Sequence, residues 1–598
     1  MVLALFAAAL SELVIEAPSF SHDRRFLELL RAHGWLLWAL WAAWAGVLAL
    51  RRRLDPSTTA VVLESRLVYG LTVAALGVTL AAPFTNAYFS HVTHPCLGLF
   101  IAWSVWPVVA RLWGRGGARL VAIAGRGADL APWLLALCCA LVIFLQSYRR
   151  YWWFGAGGKD LGLFHQSVWL LSRFEAPHNT VMGLHAFADH LEFIDVLLAP
   201  VMWIWADAGA LLLCQALIVA AGAVPIFLLG RRHLGSGIAA AAMVAVYLIG
   251  IDLQQAYMFD FNPTTCGAGL LPWVVWAFER ERPILFALFL VLVALTKENL
   301  VLYGLGLCLT LACGVRRRLP LAAAALLAGF FVLEMKVIFP LFAPEGFRHL
   351  RFEAMGGSAT EILWSAVKSP AAAFALLWTP GNKINGLLSP FSTMAFAALL
   401  APRYAFALAP VILERFWSSH ANRWWGFHYG AGAGVLALLA GIEGLARFRR
   451  FAAGRAAYLG DVAVLGVLLA AVLVSSAARF GPGPVWLWRQ SYFTTAADRV
   501  DAQTVLALIP PEAEVAAQNH LLPHLSGRRH IVEIHRPVTA EYVALDLRQD
   551  AWPYGADYVR PLVRDLRQQG YGVIACRGDA LLLQRGAASV DCPALAGP

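Results

Sequence analysis

The sequence predicts an α-helical polytopic membrane protein with a small C-terminal α/β domain. Of its 598 residues, 60% are hydrophobic and only 14% are charged, and the mean hydropathy is +0.64. An average soluble chain is about a quarter charged. The apolar residues also gather in runs whose lengths approach the roughly 20 residues that a helix needs to cross a bilayer. This composition excludes a soluble enzyme, a disordered protein and a coiled coil.

Successive apolar runs predict roughly 13–15 transmembrane helices. The runs cover residues 35–50, 67–88, 97–110, 130–146, 208–230, 237–251, 266–278, 284–295, 300–313, 321–339, 387–400, 405–413, 429–445 and 462–474. Several are shorter than the roughly 17 residues of a minimal span, which predicts broken or hairpin helices. Residues 1–18 lack a basic start and make a poor signal peptide, and whether they cross the membrane stays open.

Clusters of basic residues indicate the orientation of these helices. Cytoplasmic loops collect Lys and Arg, and such clusters lie at residues 51–53, 111–126, 231–232, 279–282, 316–318 and 447–450. Alternation then places five polar segments together on the opposite, outer face: residues 147–192, 259–263, 297–299, 343–370 and 414–428. The net charge of +10 follows from the same rule, and no nucleic-acid motif is present, so nucleic acid is not an expected partner.

The composition divides the chain into three parts. Residues 1–128 are predicted to form N-terminal transmembrane helices, and residues 129–479 the transmembrane core, whose first outer loop covers residues 147–207. A Gly-Pro linker at residues 481–484 introduces a soluble extracytoplasmic domain, residues 480–598. In this domain, strands are predicted at residues 515–517, 531–534, 542–545, 572–576 and 581–584, and helices at residues 502–508 and 558–569. The sequence leaves open whether Cys576 and Cys592 form a disulfide.

Asp160 is the first candidate site residue. It follows a glycine-rich turn and opens a helical pattern, so one interpretation is an ordinary helix N-cap. The functional interpretation is a carboxylate at the membrane interface that acts as a general base or binds a divalent metal.

His185, Asp189 and His190 follow in the same outer segment. An i, i+4 relation would place His185 and Asp189 on one helical face, next to His190. Histidine and carboxylate suit transition metals, so Asp160, His185, Asp189 and His190 are the metal candidates. A solvated interfacial helix is the alternative, because their spacing matches no strong metal signature.

Asp260, Asn262 and Lys297 interrupt apolar sequence at the predicted outer face. Asp260 and Asn262 can orient a sugar or a cationic partner, or they form a capped turn before Pro263. Lys297 divides the apolar run 284–313 into a hairpin of two short helices, because a charged pair deep in lipid costs several kcal/mol. Its ammonium can neutralise a phosphate, or it pairs with Glu298 to stabilise the turn.

Arg348 and Arg351 add positive charge in the next outer loop. Such charge suits an anionic lipid head group, although a solvated loop is the default interpretation of each arginine alone.

These motifs together resemble a known family. The strings from Asp160 to Trp169, from His190 to Pro200, from Phe259 to Pro263 and from Thr296 to Asn299 occur in the order and spacing of the domain-of-unknown-function 2079 (DUF2079) family of prokaryotic membrane proteins. That family looks like a branch of the GT-C glycosyltransferases, multispan enzymes that use polyprenyl-phosphate-linked sugars. The resemblance therefore implies a GT-C-like transmembrane core.

The resemblance also implies roles for individual residues. GT-C enzymes carry an essential acidic residue in the first outer loop, and by position this role falls on Asp160. Lys297 occupies a place where related enzymes put a lysine near the lipid phosphate. Apart from the resemblance, the polar residues Asp260, Asn262, His190, Arg348 and Arg351 complete the expected substrate-binding set. His165, Asn262 and Asn299 depart from the family pattern, in which an aspartate, a histidine and an acid are usual. The last two departures remove possible metal ligands or acid/base groups, which puts a metal-dependent mechanism in doubt.

The expected function is therefore glycosyl transfer of a hexose or pentose from a polyprenyl-phosphate-linked donor to an envelope glycan, lipid or protein. The expected partners are this donor, membrane lipids and the acceptor, and no cofactor is certain, although a divalent metal is compatible with the residues. The expected location is the plasma (inner) membrane of a prokaryote, with the active face and the C-terminal domain extracytoplasmic. A polytopic transporter or lipid flippase is the alternative, because transporters also place ionisable groups and broken helices in the membrane.

Overall fold

A computed structural model describes residues 94–103, 106, 109, 130–424, 426–453, 458–477, 495–535, 537–548, 550–551 and 554–595. The predicted spans at residues 35–50 and 67–88 and the predicted linker at residues 481–484 lie outside the described residues.

The membrane region consists of helices joined mostly by short turns. After an apolar helix at His94–Trp103, they are α1 (Ala131–Trp152), α2 (Leu163–Ser172), α3 (Ile194–Leu198), α4 (Gly209–Ala221), α5 (Ala223–Leu234), α6 (Gly237–Ile249), α7 (Ile251–Met258), α8 (Pro263–Glu279), α9 (Pro283–Ala294), α10 (Glu298–Ala312), α11 (Arg318–Leu333), α12 (Phe339–Phe342), α13 (Ala359–Lys368), α14 (Pro370–Ala375), α15 (Lys383–Thr393), α16 (Ala405–Phe416), α17 (Ala431–Ala453) and α18 (Tyr458–Ala477). A two-stranded hairpin, β1 (His178–Asn179) and β2 (Leu184–His185), lies between α2 and α3.

Five helical stretches of the described chain are long and apolar enough to cross a bilayer. They are Ala131–Trp152, Gly209–Leu234, Arg318–Phe342, Phe427–Ala453 and Tyr458–Ser475, and the pair α6–α7, bent by 52°, would make six. The α-helical membrane class is thus confirmed. The described residues hold fewer full-length spans than the roughly 13–15 predicted, because several apolar runs form short helices, such as α9 and α10, or are broken.

The helix α17 lies at the centre of the membrane region. In its most apolar window 83% of residues are buried, against 17% in the Arg318–Phe342 stretch that contains α11. Because α11 has apolar residues on all sides, as a lipid-facing helix does, this difference places it at the periphery.

The apolar run from residue 284 to 313 forms the predicted hairpin. The helix α9 ends at Ala294, and α10 begins at Glu298. Thr296 donates a hydrogen bond to the Val293 carbonyl oxygen at 2.6 Å. The hairpin prediction is confirmed, and the break presents Lys297 where two short helices meet.

The C-terminal part folds as a mixed sheet between two helices. Its elements are α19 (Ala496–Leu506), β3 (Val515–Ala517), β4 (Ile531–Glu533), β5 (Tyr542–Asp546), β6 (Asp550–Ala551), β7 (Tyr554–Gly555), α20 (Ala556–Gln568), β8 (Tyr571–Arg577) and β9 (Ala580–Arg585). The five-stranded sheet has the order β4-β3-β5-β9-β8, in which β3 is parallel to β4 and β5, and β9 is antiparallel to β5 and β8. Each of the five predicted strands and both predicted helices overlaps an observed element.

The two faces of this sheet carry separate cores. One face packs against α20 through Val559, Leu562 and Leu566, and the other packs against α19 through Ala502 and Val505. The second core also contains Phe154, which comes from the first outer segment of the membrane region. The membrane region and the C-terminal domain therefore share a core. In addition, Cys576 and Cys592 form a disulfide, with their Cα atoms 5.6 Å apart.

Candidate functional site

The segment that carries Asp160 begins with an extended glycine. Gly157 has φ −101° and ψ 146°, and a π-helical turn, Gly158–Gly162, follows it and leads into α2. A Cβ atom on Gly158 would collide with the Leu522 side chain of the C-terminal domain. Glycine is needed here because another part of the chain packs against its backbone. The N-cap interpretation of Asp160 is wrong, because the residue lies inside the turn and Gly157 precedes it.

Asp260 holds the Asp160 turn in place through a hydrogen bond to Gly157, the residue before the turn. Its carboxylate is buried and pairs with the Arg150 guanidinium at the end of α1, and its Oδ2 atom accepts a hydrogen bond from the Gly157 N–H at 2.9 Å. Arg150 also donates to the Phe259 carbonyl oxygen at 2.8 Å. The Gln215 side-chain amide donates to the Asp260 carbonyl oxygen at 3.3 Å. Asp260 thus joins the end of α1, the Asp160 turn and the loop between α7 and α8.

The Asp160 carboxylate itself is partly exposed, and within the described chain no residue donates a hydrogen bond to it. Burial and, to a smaller extent, the Asp260 carboxylate raise the pKa of Asp160, Arg150 and Lys297 lower it, and the net result is a pKa of about 7. Asp160 and Lys297 are therefore close enough for their charges to interact. A carboxylate with a pKa near neutrality can gain or lose a proton under ordinary conditions.

Lys297 forms a buried ion pair. Its Nζ atom lies 2.8 Å from Glu192 Oε1, and each side chain is less than a tenth exposed. Burial lowers the pKa of Lys297, but Glu192 and Glu298 raise it by more, so the amine stays protonated. The predicted partner within the turn was Glu298. The structure instead pairs the lysine with Glu192, because Glu298 is held by His190.

A second polar cluster lies beside this pair. His190 Nδ1 is 2.7 Å from Glu298 Oε1, and the Leu191 N–H donates to Glu298 Oε2 at 3.1 Å. On its other side, His190 Nε2 lies 3.9 Å from Asp189, and His349 Nε2 lies 2.5 Å from the same carboxylate. The two imidazole rings stack with their centroids 4.1 Å apart.

Charge explains the protonation of this cluster. Burial raises the pKa of Asp189, but His190, His349 and Lys297 together lower it to about 2. Burial and Lys297 lower the pKa of His190, but the carboxylates of Glu298 and Asp189 raise it by more. Among the described residues, Asp189, His190 and His349 form the group of His, Cys, Asp and Glu side chains that could hold a metal ion, with ligand atoms within 4.8 Å of one another.

The C-terminal domain packs directly on the Asp160 turn. Asn519, two residues after β3, accepts hydrogen bonds from the Gly158 N–H through its carbonyl oxygen at 2.8 Å and its Oδ1 atom at 2.9 Å. The Lys159 N–H donates to the same Oδ1 atom at 3.3 Å, and Lys159 Nζ lies 2.8 Å from Glu533 Oε2. Side-chain and backbone groups of the C-terminal domain therefore fix the two residues that precede Asp160.

Four further contacts hold the domain in this position. The His524 ring stacks on Tyr151 and Phe154, with centroid distances of 4.3 and 3.9 Å. His165 Nδ1 lies 2.8 Å from Ser526 Oγ, and Gln166 donates to the Arg528 carbonyl oxygen at 3.1 Å. Burial lowers the pKa of His524 to about 3 and that of His165 to about 4, so both rings are neutral.

The expected helical pairing of His185 with Asp189 is wrong. His185 ends β2, and only a short 3₁₀ turn, Ala186–Ala188, separates it from Asp189. Because no α-helix runs from His185 to Asp189, the i, i+4 spacing does not place these two side chains on one helical face. His185 Nδ1 instead accepts a hydrogen bond from the Phe187 N–H at 3.2 Å, and its ring stacks on Phe342.

The remaining predicted residues occupy two kinds of position. Asn262 is buried, and its Oδ1 atom accepts a hydrogen bond from the Thr264 N–H at 3.0 Å, which makes it the N-cap of α8. Arg348 and Arg351 are exposed, and Arg348 pairs with Glu345 at 3.2 Å.

Sequence reasoning missed four partners: Arg150 for Asp260, Glu192 for Lys297, His349 for Asp189, and Asn519 for the glycine turn. A signal existed for the first, because an aspartate at the end of a span needs a cation, and Arg149 and Arg150 are basic residues on the predicted outer face. The other partners come from segments more than 100 residues away, so the local pattern carries no trace of them.

Comparison with known proteins gives a family and two structural neighbours. The family model described as "Predicted membrane protein (DUF2079)" matches residues 150–583. No curated protein matches the sequence significantly. The crystal structure of ArnT from Cupriavidus metallidurans bound to undecaprenyl phosphate is similar with a TM-score of 0.49 and 13% identity, covering 78% of this chain and 99% of that one. The apo-state structure gives a TM-score of 0.43 and 15% identity, covering 79% and 100%.

Asn519→Ala is expected to loosen the Asp160 turn. The Lys159 amide loses its acceptor, and a lost hydrogen bond of about 1–1.5 kcal/mol corresponds to roughly tenfold faster amide exchange. Hydrogen exchange read by mass spectrometry over residues 157–162 measures this. Gln569→Ala, an exposed change in the same domain, should leave the rate unchanged, and equal rates in Asn519→Ala and wild type would contradict the prediction.

Asp160→Asn is expected to stabilise the protein at pH 8 and leave its stability unchanged at pH 4. Because the pKa of Asp160 is raised to about 7, the folded state favours the neutral carboxyl, and the wild type loses stability as the pH rises from about 4 through 7. Thermal unfolding in detergent at both pH values measures the difference. The exposed Asp591→Asn is the control, and a difference independent of pH would contradict the assignment.

Proposed function

The chain belongs to the DUF2079 family of predicted membrane proteins, and from this premise we propose that it is an inverting membrane glycosyltransferase. The donor is a sugar linked to a polyprenyl phosphate, and the acceptor is a hydroxyl group of an envelope glycan, lipid or protein. The observation that carries the proposal is the Asp160 carboxylate, which is partly exposed, without a hydrogen-bond donor among the described residues, and within electrostatic reach of the partly buried Arg150 and the buried Lys297.

Asp160 serves as the general base. In an inverting transfer the acceptor oxygen attacks the anomeric carbon as the bond from that carbon to the phosphate oxygen breaks, and the acceptor proton passes to a carboxylate. A pKa of about 7 leaves Asp160 largely ionised at slightly alkaline pH, yet basic enough to hold the proton. Asp260, already committed to Arg150 and Gly157, keeps the Asp160 turn in place.

Positive charge assists the leaving group. A departing polyprenyl phosphate needs stabilisation of negative charge more than it needs a proton. Lys297 Nζ carries three donors, and the one hydrogen-bonded partner recorded for it within the described chain is Glu192. Its position at the break between α9 and α10 suits a phosphate at the membrane interface, with the polyprenyl tail along lipid-facing helices.

The other predicted residues have supporting places in this proposal. His190 holds Glu298 beside Lys297, and Asn262 supports Asp260 by capping α8. Arg348 and Arg351 lie exposed in the loop that carries His349, where they can attract an anionic lipid head group.

The proposal includes a location for each part of the chain. We place residues 129–479 in the plasma membrane of a prokaryote as the GT-C-like core, after the N-terminal helices of residues 1–128. We further propose that residues 480–598 form an extracytoplasmic domain, and the contacts of Asn519 with Gly158 and Lys159 support a location on the same side as Asp160. This domain is suited to position the acceptor, since it covers the turn that holds the base.

Asp160→Asn is expected to reduce sugar transfer by about 10²–10⁴-fold, the usual contribution of a general base. Membranes that contain wild type or variant receive radiolabelled sugar on crude polyprenyl-phosphate donors, and incorporation into envelope acceptors is counted. In the wild type, kcat/KM should rise with pH with a midpoint near 7, because the ionised form of Asp160 accepts the proton, under the influence of Asp260, Arg150 and Lys297.

Asp591→Asn, an exposed aspartate of the C-terminal domain, is the matched control and should keep full activity. Equal incorporation by wild type and Asp160→Asn would remove Asp160 from the chemistry. Movement of labelled lipid across vesicles, without incorporation from any donor, would instead establish the flippase alternative.

Lys297 is tested together with its partner. Lys297→Gln alone is expected to destabilise the protein by about 3–5 kcal/mol, because it leaves the Glu192 carboxylate buried and unpaired. The double variant Lys297→Gln, Glu192→Gln should recover most of this stability without recovering transfer. Unfolding curves and KM for the donor separate the two effects, and full activity of the double variant would limit Lys297 to a structural role.

A further inference from the structure

Asp189, His190 and His349 bring three metal-ligating atoms together outside the proposed base and phosphate positions. His349 Nε2 is 2.5 Å and His190 Nε2 is 3.9 Å from the Asp189 carboxylate, and all three ligand atoms lie within 4.8 Å of one another. Two imidazole nitrogens and one carboxylate oxygen are a ligand set that suits zinc and similar transition metals. The three side chains are between 15% and 30% exposed, so an ion can reach them from solution.

The surroundings orient one ligand as metal sites require. His190 uses Nδ1 to contact Glu298 at 2.7 Å, which leaves Nε2 facing Asp189. A metal-bound histidine characteristically gives its other ring nitrogen to a carboxylate, which fixes the tautomer and the ring orientation. Glu298 is itself held by the Leu191 N–H at 3.1 Å, so this supporting contact is rigid.

The charges of the groups around Asp189 give independent support for a cation. Of the three neighbouring carboxylates, that of Glu192 contacts the Lys297 ammonium directly, whereas those of Asp189 and Glu298 contact imidazole nitrogens. A divalent cation between Asp189 and the two imidazoles would therefore add positive charge where the carboxylates outnumber the ammonium groups. The Arg423 guanidinium donates a hydrogen bond to the His349 carbonyl oxygen at 2.9 Å.

We propose that Asp189, His190 and His349 form a zinc-type transition-metal site that joins the first outer segment to the loop after α12. Zinc in protein sites is usually four-coordinate, so a fourth position remains for water. The site differs from the set expected from the sequence, since it includes His349 and excludes Asp160 and His185. It goes beyond glycosyl transfer, and its test measures metal binding alone.

The test uses the full-length protein, purified in detergent without a polyhistidine tag and freed of metal with a chelator. Zn²⁺ and Co²⁺ are then added, bound metal is measured by elemental analysis after desalting, and the visible spectrum of Co²⁺ reports its coordination. One equivalent per chain is expected, with the intense bands of four-coordinate Co²⁺. Asp189→Asn and His349→Ala should each lower the affinity at least tenfold. Glu298→Gln, a positioning change, should lower it about 10–100-fold.

His178→Ala is the matched control, because it removes an exposed histidine of the same outer segment and should bind metal as the wild type does. His349→Ala keeps the test interpretable if Asp189→Asn fails to fold, since His349 lies in a partly exposed loop and folding is checked by size-exclusion chromatography. Wild type that binds neither metal would overturn the proposal. Equal binding by wild type and the folded His349→Ala variant would overturn it as well.

Discussion

The ion pair of Arg150 and Asp260 is the constraint on which the polar region around Asp160 depends. An aspartate at the end of a span is costly unless a cation accompanies it, and here Arg150 also binds the Phe259 carbonyl oxygen. The second oxygen of Asp260 then holds the Gly157 N–H, so one carboxylate sets where the outer turn begins. Removing one partner of such a pair would leave an unpaired charge among packed helices, and the turn that carries Asp160 would lose its support.

Ion pairing also explains why polar residues from distant segments lie together next to the membrane helices. Lys297 contacts Glu192 from a different segment, and Glu298, its neighbour in sequence, contacts His190. Each pair thus joins the break between α9 and α10 to the first outer segment. A continuous helix through residues 284–313 could not make these contacts, because its charges would face lipid. The broken helix is therefore a requirement of the ion pairs and not a defect in the span.

The sequence predicts the fold class, the hairpin around Lys297 and the positions of the strands along the C-terminal domain, because these follow from local hydrophobic patterns. It also predicts that the outer polar segments lie on one face, as the interaction of Asp160 with Lys297 requires. It does not predict that Asn519 holds the glycine turn or that His349 meets Asp189, since side-chain pairing across hundreds of residues leaves no periodicity. The prediction of a helix at His185 was wrong because the strands of the observed hairpin are only two residues long. Strands this short leave no recognisable alternation in the sequence.

The hydrogen bond from Gly158 to Asn519 spans 361 positions of the chain. During synthesis, the Asp160 turn can therefore be completed only after the ribosome has made every intervening helix and the C-terminal domain has folded. Until then the Asp160 turn lacks its hydrogen bonds to Asn519, and Phe154 lacks its apolar neighbours in the C-terminal domain. Assembly of the Asp160 turn thus depends on synthesis of the C-terminal domain. A product terminated before Asn519 would enter the bilayer with this turn unsupported.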